Sequence, residues 1–230
     1  MKKINRTLII AGLMASQLIF AASCDEKEII EEQVTELAYS SNEEINIDDL
    51  LANFVDTEPL TTAETKMLQF MKEEEKLARD VYYALNEIWN ARVFTNISKS
   101  EERHIAAVMG LVEYYNLGST EVLAPGEFES EEFKALYDQL VEQGSQSIEE
   151  AMKVGALIEE LDIKDLQEKL DATSNENITM VFNNLLRGSR NHLRAFNRQL
   201  VKYGITYSPQ YISQDQYDEI INGPNETGNR

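Results

Sequence analysis

Apolar residues recur at helical spacing through four long stretches of the chain, and charged residues fill the positions between them. Residues three and four positions apart lie on one face of an α-helix, so each stretch is predicted to be an amphipathic helix that buries one face. The chain is therefore predicted to be all-α, with its long helices organised as a four-helix bundle. The predicted helices run from Thr61 or Thr62 to Asn90, from Ser98 or Ser100 to Asn116, from Ser147 to Leu170 and from Asn177 to Tyr203.

The connection between the second and third predicted helices is long, from Leu117 to Ser147. It opens with a loop that contains a proline and a glycine, and it continues into a short predicted helix from Ser130 to Gln143. A connection of this length is typical of a bundle whose second and third helices need a crossover. Ser147 forms a capping-box pattern with Glu150, which predicts the start of the third helix.

The segments outside the four helices are predicted to be accessory. Residues 24–59 are acidic and weakly patterned, and we interpret them as a linker that can hold a short helix from Ile47 to Phe54. After the last long helix, an extended strap at 207–211 leads to a short predicted helix from Ser213 to Ile221. Residues 223–230 are rich in Gly and Asn, and we expect a disordered tail there. The domain itself is therefore expected to span residues 60–222.

The first residues have the composition of an export signal. Basic residues precede an apolar run from Leu8 to Ala22, and small residues stand directly before Cys24. This arrangement resembles a bacterial lipobox, so we predict a lipoprotein signal peptide at 1–23 and lipidation of Cys24. The alternative is an ordinary secretory peptide that is cleaved near Cys24. Acyl chains on Cys24 would anchor the protein to a membrane. We therefore expect it in the bacterial cell envelope, in the periplasm or at the cell surface.

The composition argues against several classes of function. The formal net charge is −20, from 41 acidic and 21 basic residues. This charge argues against a nucleic-acid partner, because nucleic acids are bound by basic surfaces. Cys24 is the only cysteine, which excludes an internal disulfide and a thiolate zinc site. A homodimer is compatible with the sequence, which does not identify an electron donor.

Each long predicted helix carries an ionisable residue on its apolar face, where burial is costly unless the group is paired or binds a metal. Glu101 and His104 have the Glu-x-x-His spacing of half a di-iron carboxylate site. The full set offers four carboxylates and two imidazoles, which suits a carboxylate-bridged dinuclear site for iron or manganese, with zinc as an alternative. Its members are Glu75 or Glu74, Glu101, His104, Glu159, Asp162 and His192.

The pattern alone leaves alternatives open for each of these groups. On the first helix, periodicity favours Glu74 over Glu75, because Glu74 lies nearer the centre of the apolar face. An isolated Glu101 and His104 pair is also compatible with a surface glutamate beside a partly buried histidine. Glu159 can equally pair with an arginine across the core.

Longer motifs resemble a known family. The segment from Glu75 to Tyr82 resembles the first-helix signature of rubrerythrin-like proteins, in which the ligand Glu is followed by Ala at i+3 and Tyr at i+7. A larger pattern, from Leu60 to Ile221, resembles a bacterial and archaeal ferritin-like family of unknown function. The resemblance implies a ferritin-like four-helix bundle, and it favours Glu75 as the ligand on the first helix. The motifs that carry it are residues 73–82, 155–166 and 188–196.

The chain departs from the resemblance on its last helix. The Glu-x-x-His expected there is replaced by Ser189 followed by His192. We expect Asp162 to supply the missing carboxylate, while Ser189 holds a water or leaves an open coordination position. A site with one metal, or with none, is the alternative. Other side chains expected around the ligands are Glu74, Tyr82, Arg79 and Arg190.

These expectations lead to three hypotheses for the function. The first is a metal-dependent redox protein of the envelope, a di-iron oxidoreductase of the rubrerythrin or ferroxidase kind, with Tyr82 as an electron-transfer group. The second is a protein that binds or handles iron without turnover. The third is a metal-free scaffold in which the buried acids pair with Arg79, Arg190 and Arg194.

Overall fold

In the computed structural model, which describes residues 45–228, every regular element of that part of the chain is a helix. The all-α prediction is confirmed for this range. The predicted signal peptide at 1–23 and the predicted lipidation site Cys24 lie outside the described residues. The helices are α1 (Ile47–Ala52), α2 (Thr62–Trp89), α3 (Arg92–Tyr114), α4 (Glu131–Gly144), α5 (Ile148–Ala172), α6 (Glu176–Lys202) and α7 (Gln214–Asn222).

Four long helices, α2, α3, α5 and α6, pack into a closed helical bundle. Helix α2 contacts α3 and α5, and α6 contacts the same two helices from the other side. The short helix α4 lies in the crossover between α3 and α5 and packs against α2 and α5. The apolar faces that the sequence predicts meet in one core, which includes Leu68, Met71, Leu85, Ile97, Leu111, Met152, Leu166, Val181, Leu185 and Phe196, all at most 1% exposed.

Most helix ends follow the capping signals in the sequence. Thr61 caps α2, and Glu64 completes the capping box by accepting a hydrogen bond from the Thr61 backbone amide. Ser147 accepts a hydrogen bond from the amide of Glu150, as predicted, while the Glu150 carboxylate contacts Gln143 and Lys153. These caps satisfy amides that a helix terminus leaves without partners.

The predicted start of the second long helix is wrong. Helix α3 begins at Arg92, and Ala91 before it provides no side-chain cap. Ser98 lies inside the helix, where its hydroxyl donates to the carbonyl of Thr95. Phe94 and Ile97 are fully buried, so the core continues past the serines and carries the helix with it. Tertiary packing has overridden the local capping signal here.

The crossover covers the face of α2 that the sequence pattern assigns to solvent. Glu73, Lys76 and Asp80 lie off the apolar stripe of α2, yet each is at most 6% exposed. Glu73 Oε2 accepts hydrogen bonds from the amides of Glu129 and Ser130, at 3.0 and 3.1 Å. Asp80 accepts from Lys76 and from a crossover amide. Carboxylates suit this position because a loop without regular structure offers amides that need acceptors.

The segment after α6 runs back across α5 as the predicted extended strap. Glu160 on α5 is fully buried, and its Oε2 accepts hydrogen bonds from the amides of Gln210, Tyr211 and Ile212, at 2.7, 2.8 and 3.3 Å. Helix α7 follows with Ser213 as its N-cap. A single buried carboxylate therefore holds the strap against the bundle.

Both ends of the described chain make defined contacts with the helices. Glu226 binds Arg190, with Oε1 2.7 Å from Nε, and Arg194, with Oε1 2.9 Å from one terminal nitrogen. The prediction of a disordered tail therefore fails as far as residue 228. Within the predicted linker, the short helix is present as α1, and the Asn177 side chain exchanges two hydrogen bonds with the backbone of Val55.

Among the helices of residues 45–228, none combines the length and the apolar character needed to cross a membrane.

The strap gives a stability prediction. We expect Glu160→Ala to lower the free energy of unfolding by about 2–3 kcal/mol, because it removes the acceptor for three buried amides. Urea denaturation followed by circular dichroism measures the change. Glu168→Ala is the control on the same helix, since the Glu168 side chain is 64% exposed. Equal unfolding free energies for the two variants would show that the strap depends on other contacts.

Candidate metal centre

Glu101 lies in the centre of the bundle between the only two histidines of the chain. Its Oε2 is 2.7 Å from Nδ1 of His104 on the same helix, α3. Its Oε1 is 2.8 Å from Nδ1 of His192 on α6. One carboxylate therefore contacts both imidazoles, each through a different oxygen.

Two further carboxylates extend this arrangement outward. Glu75 on α2 places Oε2 3.0 Å from His104 Nδ1, and Glu159 on α5 places Oε2 3.3 Å from His192 Nδ1. Two groups of three result, Glu75 with Glu101 and His104, and Glu101 with Glu159 and His192. In each group, the candidate ligand atoms lie within 4.8 Å of one another. All four long helices contribute, and all five residues are at most 1% exposed.

The two imidazole rings face each other across the centre, with centroids 5.4 Å apart and planes inclined by 25°. Gly188 on α6 lies directly against the His104 ring. A Cβ at this position would be 2.4 Å from His104 Nε2, closer than atoms can approach. The glycine therefore lets α6 approach α3 closely enough for both histidines to reach Glu101.

An aromatic cluster closes one side of the centre. The Tyr82 hydroxyl donates a hydrogen bond to Glu159 Oε1 at 2.5 Å, which leaves Oε2 toward His192. The rings of Tyr82, Phe94 and Phe196 pack with centroids 5.3 to 6.0 Å apart, and all three are fully buried. The cluster both orients Glu159 and keeps its surroundings apolar.

Asp162 and Glu74 lie beside the centre and belong to neither group of three. Asp162, one turn after Glu159, is 1% exposed, and Glu74 is 5% exposed. Burial raises the pKa of Asp162 well above its usual value, and the neighbouring carboxylates of Glu74, Glu75 and Glu159 raise it further. Burial also raises the pKa of Glu74, to which nearby Asp165 adds. Of the two glutamates that periodicity left open, Glu75 contacts His104.

Several side chains expected around the ligands have other partners. The Ser189 hydroxyl donates to the carbonyl of Leu185 at 3.1 Å, one turn back on its own helix. Arg79 pairs with Asp80 at 2.7 Å, and Arg190 pairs with Glu226. The salt-bridge network predicted for a metal-free scaffold therefore does not form through these two arginines.

Arg194, the third arginine of that predicted network, also binds Glu226 and the carbonyl of Ile220. Glu159 contacts Tyr82 and His192 and not the arginine that the sequence offered as an alternative partner. In the described part of the chain, the acids of the buried centre thus contact its own imidazoles and one phenol.

Sequence reasoning missed the continuation of the acidic row on α5. Asp165 follows Asp162 by three residues, as Asp162 follows Glu159, so each acid lies about one turn beyond the last in a row that winds around the helix. Asp165 is partly exposed and contacts Lys164 and Lys169. The i+3 repeat was the available signal, but an acid beside two lysines is typical of a solvated helix end.

Residues 64–224 match the family described as an uncharacterized protein domain, DUF2202. The chain is a DUF2202 protein. A search of curated proteins found the "Uncharacterized protein MJ0754" of Methanocaldococcus jannaschii, which is 47% identical over 172 residues, covering 74% of this chain and 93% of that protein. The crystal structure of the hypothetical protein MJ0754 resembles this chain with a TM-score of 0.72 and 45% identity, covering 76% of this chain and all of the other.

The electrostatics of the DUF2202 centre divide its acids into two kinds. Burial alone would raise the pKa of Glu101, but attraction to His192 and His104 outweighs it and holds that pKa well below its usual range. Burial would lower the pKa of His104, but Glu101 and Glu75 raise it to about 9. Burial raises the pKa of Glu75 to about 7, against the attraction of His104. Without a cation, Glu101 thus lies between two imidazoles whose pKa values are raised, while its own pKa is lowered.

The donor set of the DUF2202 centre fits a divalent metal ion. Among residues 45–228, Glu75 Oε1 and both oxygens of Asp162 are buried without a hydrogen-bond partner. Such atoms are costly to bury, and a cation would relieve the cost. Carboxylate oxygen and imidazole nitrogen without thiolate suit iron or manganese, and also zinc.

These charges predict how the metal-free protein responds to pH. His104 has its pKa raised from 6.5 to about 9, so its ion pair stabilises fully below pH 6.5 and is lost as the pH rises through about 9. Burial raises the pKa of Glu75 from 4.5 to about 7. Its ionisation inside the protein therefore lowers stability as the pH rises from 4.5 through about 7. We therefore expect the Tm of chelator-treated protein to fall between about pH 6 and about pH 9.

Thermal unfolding by circular dichroism at several pH values measures this dependence. His104→Gln is the matched control, since it keeps a polar side chain but cannot titrate, and its Tm should depend less steeply on pH. A Tm that rises or stays constant over this range would contradict the charge distribution.

Proposed function

We propose that this DUF2202 protein is a ferritin-like metalloprotein with a carboxylate-bridged dinuclear site. Iron is the preferred metal, with manganese and zinc as alternatives, and the activity is redox chemistry toward oxygen or peroxide. The observation that carries the proposal is the position of Glu101, whose two oxygens contact the Nδ1 atoms of His104 and His192 at 2.7 and 2.8 Å. A shared carboxylate between two equivalent ligand groups is the arrangement a bridged metal pair requires.

The ferritin-like assignment is supported by how the helices supply the ligands. Four long helices with a long crossover between the second and third are typical of that architecture. Each of α2, α3, α5 and α6 supplies at least one of the clustered residues. The Glu-x-x-His pair on α3 provides both the shared carboxylate and the first imidazole.

Each residue has a distinct role in holding the metals. Glu101 would be the carboxylate shared by both groups of ligands, Glu75 and Glu159 would each add a further carboxylate, and His104 and His192 would add imidazole nitrogens. What an iron or manganese pair supplies when bound is one-electron redox chemistry toward oxygen or peroxide. Tyr82 fixes the orientation of Glu159 through its hydrogen bond and contributes to the aromatic cluster that excludes water.

The last helix leaves one bridging position without a protein ligand. The Ser189 hydroxyl is engaged by the Leu185 carbonyl, so it is not a substitute for the absent glutamate. The two metals would then share a single protein carboxylate, and the side opposite Glu101 remains open for a small exogenous ligand. The role of Asp162 as a sixth ligand stays a prediction.

Two alternative functions have specific support. Iron binding without turnover needs the same ligands and no electron donor. A metal-free scaffold is supported by the ion pairs of the centre itself, because Glu101 between two imidazoles satisfies part of the buried charge without a metal. The unpartnered oxygens of Glu75 and Asp162 favour the metal over the scaffold.

The protein is also proposed to be anchored in the bacterial envelope through a lipidated Cys24. The support is the sequence alone, with basic residues, an apolar run and small residues directly before the cysteine. A homodimer is compatible with the acidic surface, and no nucleic-acid partner is proposed, since the net charge is −20.

Metal content tests the central proposal. We expect the purified full-length protein, reconstituted with ferrous iron, to hold about two ions per chain. Glu101→Gln should lose most of this metal because it removes the shared ligand. Glu102→Gln, the same change one residue further on an exposed position of α3, should retain it. Inductively coupled plasma mass spectrometry measures the stoichiometry.

No metal after reconstitution with iron, manganese and zinc would leave the scaffold as the function. If metal binds, consumption of oxygen or peroxide by the loaded protein separates a redox enzyme from an iron-binding protein.

Membrane fractionation tests the anchor. We expect the wild-type protein in the membrane fraction and Cys24→Ser in the soluble fraction, because serine cannot accept the acyl chains. Incorporation of labelled palmitate into the wild-type protein alone is the accompanying measurement. A wild-type protein that is soluble and unlabelled would support the secretory alternative.

A further inference from the structure

A row of carboxylates leads from the buried centre along α5. Glu159, Asp162 and Asp165 are spaced three residues apart, so each step advances roughly 4.5 Å along the helix and turns about 60° around it. Exposure rises along the row, from 0% at Glu159 and 1% at Asp162 to 16% for the Asp165 side chain. The row therefore begins at a residue of the centre and ends where solvent is reached.

Helix α2, which packs against α5, lines the same row with two more carboxylates. Asp162 lies within electrostatic range of both Glu74 and Glu75. A hydrogen bond joins the carboxyl groups of Glu74 and Asp165. The acids of the two helices are thus continuous, from Glu75 and the buried centre to Asp165 at the outside.

Several carboxylate oxygens in the inner part of the row lack hydrogen-bond partners among the described residues, which points to a cation. Within residues 45–228, both oxygens of Asp162, Oε2 of Glu74 and Oε1 of Glu75 are buried without a hydrogen-bond partner. Apolar side chains would fill the same space at lower cost in free energy. Buried carboxylate oxygens that lack hydrogen-bond partners and follow one another along the row are suited to a positive ion that passes between them.

Two lysines contact Asp165 at the outer end of the row. Lys164 Nζ is 2.9 Å from Asp165 Oδ1, and Lys169 Nζ is 3.8 Å from Oδ2. The Lys164 side chain is 37% exposed and flexible, so it can yield Asp165 to a competing cation, whereas Lys169 is 15% exposed and its ammonium group stands over the Phe70 ring. The aromatic cluster around Tyr82 offers no comparable ligands, because its one hydroxyl is already donated to Glu159.

We propose that Asp165, Glu74 and Asp162 form the uptake route by which a divalent metal cation reaches the dinuclear centre. This inference rests on the proposed metal-binding function and adds the path of loading to it. The cation binds first at Asp165 and Glu74, then at Asp162, and is finally held by Glu75, Glu159 and their histidines. Each step offers carboxylate oxygens, which Fe²⁺ and Mn²⁺ accept as ligands, but too few for the ion to remain there.

Loading kinetics of the full-length, metal-free protein test the route. Stopped-flow mixing with Mn²⁺ or with anaerobic Fe²⁺ gives the uptake rate, and metal analysis after equilibration gives the final stoichiometry. Asp165→Asn should slow uptake about threefold or more, because a charged approach raises the local concentration of the ion. Asp162→Asn should slow it about tenfold, since every ion passes that position. Asp165→Asn should still reach the wild-type stoichiometry.

Glu168→Gln is the matched control. Glu168 lies three residues after Asp165 on α5, and both acids pair with Lys164, at 3.0 and 2.9 Å. The control therefore removes the same charge and frees the same lysine, but its side chain is 64% exposed and outside the row. Its uptake rate should equal that of the wild type. Circular dichroism verifies that all variants are folded.

Wild-type uptake rates in both Asp165→Asn and Asp162→Asn would overturn the route while leaving the metal centre intact. A loss of one bound ion at equilibrium in Asp165→Asn would make Asp165 a ligand and overturn its place in the route. A wild-type protein that binds no Mn²⁺ or Fe²⁺ would overturn the proposed function itself, which is a separate and recognisable result.

Discussion

The contact of Glu101 with two imidazoles is the interaction on which the rest of the centre depends. It brings α3 and α6 together at the middle of the bundle, through His104 and His192. Glu75 and Glu159 then add one acid from each of the remaining long helices. A charge buried at this depth is tolerated only if it is paired, and here every long helix contributes to the pairing. The core is therefore organised around polar groups as much as around apolar ones.

The buried acids of this protein fall into two classes with different consequences. Glu73 and Glu160 each use Oε2 to accept backbone amides from the crossover and from the strap, while their Oε1 atoms have no hydrogen-bond partner among residues 45–228. Glu75, Glu74 and Asp162 retain oxygens without hydrogen-bond partners among residues 45–228. The first class is explained by the fold alone. The second class is costly for the fold, and the proposed metal ion would offset that cost.

The sequence predicted the helices and the clustered residues because both follow periodic patterns. Glu101 and His192 lie on apolar stripes, and the structure brings them together. The burial of Glu73 was not predictable, since it depends on a crossover folding over the polar face of α2. The start of α3 was missed because no capping residue marks Arg92. Periodicity favoured Glu74, and only the resemblance to rubrerythrin-like proteins favoured Glu75, which contacts His104.

The absence of a side chain at Gly188 has a mechanical consequence for the bundle. The His104 ring fills the space where a Cβ would stand, so the thickness of an imidazole sets how far apart α3 and α6 lie at this level. Ring and backbone act together as a spacer of fixed width. The distance between the Nδ1 atoms of His104 and His192 is then determined by helix packing rather than by side-chain flexibility.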